Sequence, residues 1–148
     1  MSNTYVPTIS SGTAGPLGIL HLPRLWQKVS LESQGKLAAG YPGIGGGYDS
    51  MVLSALGIQP DAVREYIKQN KPSYPQFEAW IKQQPGVKLD QQTIKQLNDS
   101  ITGYQHADET RKGIFANTGH SDDTCSYRDA VSLNNLDDWH EFHQSVLK

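Results

Sequence analysis

Prolines at the starts of apolar-periodic segments and glycines at their ends cut this chain into short amphipathic helices, and no other feature constrains the fold as tightly. Pro23 opens a segment with apolar residues at Leu22, Leu25, Trp26 and Val29. Helical spacing resumes at Tyr48–Leu56 through Met51, Val52, Ala55 and Leu56, with Gly57 as its stop. Pro60 and Asp61 open a third helix with Val63, Tyr66 and Ile67 on its apolar face, ended by Lys71-Pro72. Ser73-Tyr74-Pro75-Gln76 has the form of a capping box, in which hydroxyl and amide satisfy two orphan backbone donors, and Phe77, Trp80 and Ile81 follow as a stripe. Asp90 caps a helix with Ile94, Leu97 and Ile101, and a shorter helix is predicted over 107–115. Residues 117–126 read as polar loop and 127–133 as a short extended piece. Asn135 then caps a last helix whose core face is Leu136, Trp139, Phe142 or His143, and Val146.

No alternating runs joined by a tight turn appear, so the sequence predicts a mainly α, single-domain fold over 17–148. Residues 1–16, rich in Ser, Thr, Gly and Pro, lack periodicity and read as an extended arm lying over the body. Gly35, and then five glycines within residues 40–47, make a glycine-rich loop between the first two helices. Glu65–Gln69 resembles Ala79–Gln83, but a repeat array needs at least about three stacked units.

The 148 residues suit one domain able to bury about two-thirds of its unfolded surface. With 36% hydrophobic and 19% charged residues the chain lies far from disordered compositions. Thirteen Lys and Arg against fifteen Asp and Glu give a net charge of −2 without a basic cluster, which argues against nucleic-acid binding. A single cysteine, Cys125, makes no internal disulfide, and neither a signal sequence nor a span of roughly 18 apolar residues is present. The expectation is a cytoplasmic protein with no membrane partner.

The densest chemistry is His21-Leu22-Pro23-Arg24-Leu25-Trp26-Gln27-Lys28, near the glycine loop with Tyr41, Tyr48 and Asp49. An imidazole exchanges protons near neutral pH, and a guanidinium holds a carboxylate or phosphate in two-pronged fashion. His21, Arg24 and Asp49 are therefore the candidate catalytic residues, and Trp26, Lys28, Tyr41 and Tyr48 the candidate ligand-binding residues. Ordinary packing competes with this reading: Pro23 starts the helix, Trp26 enters the core, and Arg24 pairs with a carboxylate such as Asp49. The loop GIGGGYD lacks the Lys-Ser/Thr of a phosphate loop and has no preceding strand, so a close-packed turn explains it better than a phosphate cradle.

His120, Asp122, Asp123, Cys125, His140, Glu141 and His143 make a second cluster. His140 and His143 share one side of a helix, but they stand three apart rather than four, so the zinc-protease pattern is not met and no metal ligand is assigned. Cys125 lacks a visible base, and no Gly-x-Ser-x-Gly elbow is present, Ser10-Ser11-Gly12 included.

The stretch Leu17-Gly18-Ile19-Leu20-His21-Leu22-Pro23-Arg24-Leu25, with Lys28, Gly40-Tyr41-Pro42, Asp49 and Leu56-Gly57-Ile58, resembles the bacterial domain-of-unknown-function family DUF5069 from about residue 15 to about residue 100. The chain departs from that family's pattern at Gln27, in place of an acidic residue, and at Gly43–Gly47, in place of a Cys-Pro pair. The resemblance implies a small, largely helical bacterial protein and assigns no activity.

Three functions fit these residues. The first is binding of a small metabolite, anionic ones included, between the start of the His21–Lys28 helix and the Tyr41–Asp49 loop, with no cofactor specified. The second is an acid–base enzyme of isomerase or lyase type, in which His21 or Asp49 moves a proton and Arg24 holds negative charge. The third is a protein-interaction module or homo-oligomer that uses Trp26, Trp80 and Trp139 as anchors.

Overall fold

The computed structural model describes residues 3–148, so residues 1 and 2 of the expected arm lie outside it. Seven α-helices follow in order: α1 Leu22–Ser33, α2 Tyr48–Leu56, α3 Pro60–Asn70, α4 Tyr74–Lys82, α5 Gln91–Gly103, α6 Asp108–Thr118 and α7 Ala130–Phe142. A π-helical turn, His143–Leu147, continues α7. The described residues form no sheet; extended pairing is confined to isolated bridges, Tyr5 with Leu37, Ala14 with Leu20 and Gln105 with Asp129. The architecture is mainly α in one domain, as the periodicity predicts.

Helix α1 is the hub, packing on α2, α3 and α4, while α2 leads through α5 to α7. Leu22, Leu25 and Val29 of α1 are fully buried against Val52 and Leu56 of α2 and Ile67 of α3 in one continuous core. Ile114, Phe115 and Leu133 form a smaller cluster between α6 and α7. The termini of these helices follow local chemistry. Ser73 and Gln76 close the capping box of α4, Asp90 accepts the Thr93 N–H at the start of α5, and Gly57 takes the left-handed conformation (φ 79°) that ends α2.

The last third of the chain departs from the sequence reading. Helix α6 runs on to Thr118, where Gly119 in the left-handed region stops it, so the loop begins later than residue 117. The extended piece over 127–133 does not form. Asp129, not Asn135, caps α7 by accepting the Ser132 N–H, so the helix begins six residues earlier. That start puts Ala130, Leu133 and Asp138 on the buried face, whereas Trp139, Phe142 and Val146 are exposed, Trp139 by 63%.

The arm is integrated into the body. Gln27 accepts the N–H groups of Thr8 and Ile9 through Oε1 and donates to the Thr8 hydroxyl, which lays residues 8–9 along α1. Val6 and Ser11 are buried. In the glycine loop, Gly43 donates to Glu32 Oε2 at 3.1 Å, and a Cβ built on it would lie 2.4 Å from the Glu32 carboxyl carbon. A side chain at Gly43 would displace the Glu32 carboxylate, the free end of a flexible side chain, and with it the hydrogen bond that closes the loop on α1.

Candidate functional site

His21, Arg24 and Lys28 stand at i, i+3 and i+7, so the start of α1 presents them on one face beside its apolar stripe. The same face receives Asp49 from the first turn of α2, where negative charge suits the helix dipole. Asp49 accepts three hydrogen bonds: from His21 Nε2 at 2.6 Å, Lys28 Nζ at 2.5 Å and the Gly45 N–H at 2.8 Å. The other imidazole nitrogen, Nδ1, lies 2.9 Å from Ser11 Oγ on the arm. Ser11, His21, Lys28 and Asp49 are all buried, so four polar side chains form one chain of contacts away from bulk water.

Burial acts on both titrating members of this chain. Desolvation lowers the His21 pKa below its ordinary value and outweighs the Asp49 carboxylate that opposes it. For Asp49, desolvation alone would raise the pKa, but His21, Lys28 and the Gly45 N–H together hold it below the usual carboxylate range. The ionised carboxylate only accepts, so the neutral imidazole carries its proton on Nε2 and leaves Nδ1 to accept the Ser11 hydroxyl. His21 also has backbone φ 71°, unusual for a residue with a side chain. Its N–H donates to Thr13 O and its carbonyl accepts the first helical bond, from Leu25 N. The arm and α1 thus fix this strained conformation from two sides.

Arg24 pairs with Asp138 of α7, not with Asp49. Nη1 meets Oδ2 at 2.6 Å and Nη2 meets Oδ1 at 3.1 Å, while Nη1 also donates to Ile9 O. The Tyr41 hydroxyl donates to Asp138 Oδ1 at 3.1 Å. Burial, then the Asp138 and Asp137 carboxylates, push the Tyr41 phenol well above its usual pKa. Burial and then Asp129 carry Tyr48 up to about 12.

These groups wall a cavity of about 310 Å³ to which α1, the arm, the glycine loop, α2 and α7 all contribute. Six of the residues singled out from sequence line it: His21, Arg24, Lys28, Tyr41, Tyr48 and Asp49. Trp26 does not. It lies two positions from both Arg24 and Lys28, on the other side of α1, where its indole donates to Pro72 O and packs edge-on against Tyr74. Ser11, Asn134, Asp137 and Asp138 line the cavity without having been singled out as site residues.

A family model described as a domain of unknown function, DUF5069, matches residues 9–141. The chain belongs to the DUF5069 family. Its DUF5069 region extends beyond the sequence resemblance at both ends and takes in Ile9, Ser11, Asp137 and Asp138 along with the α1 and loop residues. All the polar groups that line the cavity therefore fall inside the family's boundaries. No curated protein and no solved structure matches this DUF5069 chain.

The second cluster considered from sequence is dispersed. His120 contacts Thr124, Asp122 is bound by Arg111 and Arg128, and half-buried Cys125 packs on the Ile114 cluster. Among the described residues no group of three or more His, Cys, Asp or Glu is placed to hold a metal ion. No helix among them is long and apolar enough to cross a membrane.

Proposed function

We propose that this protein binds a small polar molecule in the cavity between α1, the glycine loop and α7. The observation that carries this reading is the buried Ser11–His21–Asp49–Lys28 chain in the cavity wall. Burying linked ionisable groups costs solvation that an apolar core would not, and such groups concentrate where ligands are handled. A volume of about 310 Å³ suits a metabolite-sized ligand. The anion anchor expected of Arg24 is already taken by Asp138. Recognition therefore falls to the loop backbone, Ser11 Oγ and the α7 carboxylates.

The test is an NMR screen of small metabolites against protein labelled with ¹⁵N in its histidine rings and backbone. Binders are expected to shift the His21 ring signals together with the Gly45, Gly46 and Gly47 amides. Hits that all map elsewhere would overturn the reading.

A second reading, proton-transfer catalysis, is favoured by the hydrogen-bond polarity of Ser11, His21 and Asp49. Both ring nitrogens of His21 are engaged, so the imidazole reaches a ligand only through Ser11, whose proton it accepts. A ligand proton would pass to Ser11 Oγ as the hydroxyl proton moves to Nδ1, with Asp49 stabilising the imidazolium. For a ligand found by the screen, carbon-bound hydrogen should exchange in D₂O with wild type. His21→Gln should slow that exchange by about 10²–10⁴-fold while leaving affinity in place. Equal exchange in both would exclude this chemistry.

A further inference from the structure

A second cavity, of about 430 Å³, adjoins the polar one and shares Gly46, Gly47, Tyr48 and Asn134 with it. Its remaining wall includes the apolar surfaces of Met51, Tyr104 and Ala130. Tyr48 stands edge-on to Tyr104 with ring centroids 5.8 Å apart, which gives this lobe an aromatic side. Helix α7 runs under both lobes. Ala130 borders the apolar one, Asn134 borders both, and Asp137 and Asp138 border the polar one, at i, i+4, i+7 and i+8 on one face. At about 1.5 Å per residue, Ala130 and Asp137 lie roughly 10 Å apart along the helix.

The charges of the polar lobe are unevenly matched. Arg24 is bound by Asp138 and Lys28 by Asp49, so both cations in the wall already have a carboxylate. Asp137 also borders this lobe, is half-buried, and has no hydrogen-bond or ion-pair partner among the described residues. With His21 neutral, two cations face three carboxylates, which leaves the wall one negative charge in excess. The one uncommitted charge is negative, and it lies on the same helix face as the apolar lobe.

We propose that the two lobes form one site for an organic cation, a primary ammonium carried on an apolar, ring-sized body. The ammonium pairs with Asp137, and the body lies in the second lobe against Tyr48, Met51 and Tyr104. Tyr48, at the junction, offers its ring to the passing cation. This inference rests on the cavity being a binding site and adds the charge and shape of its occupant.

Three probes of equal length test it: 4-phenylbutylamine, 4-phenylbutanol and 4-phenylbutanoate, titrated near neutral pH with calorimetry and amide NMR. The amine should bind at least about tenfold more tightly than the alcohol, and the carboxylate more weakly than either. Asp137→Asn should bring amine and alcohol to the same affinity. Ser54→Trp, at the exposed rim of the apolar lobe, should weaken the amine and the alcohol alike. Alcohol or carboxylate binding as tightly as the amine would overturn the cation assignment, as would an unchanged preference in Asp137→Asn. In those cases the cavity reading stands. Failure of all three probes to shift Met51 or Tyr104 signals also overturns the inference, while the His21 ring screen decides the cavity reading separately.

Discussion

Arg24 and Asp138, 114 residues apart, close a buried two-pronged ion pair that ties the first helix to the last. Each also serves a neighbour, Arg24 the Ile9 carbonyl and Asp138 the Tyr41 hydroxyl. Removing one partner strands the other charge away from water. Arg24→Ala or Asp138→Ala should each cost about 3–5 kcal/mol in urea unfolding. The double variant Arg24→Met, Asp138→Leu should recover most of that loss, because the remaining groups are no longer charged. A double variant as unstable as either single one would show that the neighbours' hydrogen bonds matter more than the charge.

Stability should fall as the medium becomes acidic, and His21 sets where the fall begins. Its folded pKa lies below the unfolded value of about 6.5, so the unfolded chain binds the proton first. Its contribution is complete above that value and is lost as pH drops through the folded pKa. Asp49, also lowered, adds a second loss that starts below about pH 4. Thermal unfolding followed stepwise from pH 8 to pH 3 should show both phases, and His21→Gln should flatten the first.

Lys71 ends α3 with φ 46°, a left-handed conformation that side chains disfavour. Lys71→Gly should relieve about 1 kcal/mol of strain and raise the melting temperature by roughly 2–4 °C. An unchanged or lower temperature would mean that the Lys71 side chain contributes contacts equal to that strain.

Trp139, although large and apolar, projects outward. Trp139→Ser should change stability by less than about 0.5 kcal/mol, whereas Phe77→Ala, in the fully buried core, should cost about 3–5 kcal/mol. Denaturant titration of the two variants side by side checks the contrast.

The polar face of α1 was readable because helical spacing alone aligns His21, Arg24 and Lys28, and the same rule places Trp26 on the other side. Asp49 was readable as a first-turn carboxylate after a glycine loop. Ser11 carried no signal, because its role comes from the arm folding back onto His21 and no local pattern marks that contact. Asp137 and Asp138 carried none either, because a helix capped at Asn135 would hold them in its first turn, where acids serve the helix dipole. The stronger local competitor was Asp129, whose carboxylate takes the Ser132 N–H and turns both aspartates into mid-helix groups facing the cavity. The helices of residues 22–103 were legible from Pro, Gly and capping residues, since each boundary there is decided within a few residues.

The Arg24–Asp138 clasp also imposes an order on synthesis. Helices α1 to α5 hold most of the core, yet until α7 is made Arg24 has no carboxylate and the cavity has no far wall. The pocket can be completed only when the segment bearing Asp138 arrives. A nascent chain stalled before that point would hold an unfinished site, with the Arg24 guanidinium uncovered and open to any acidic surface that reached it first.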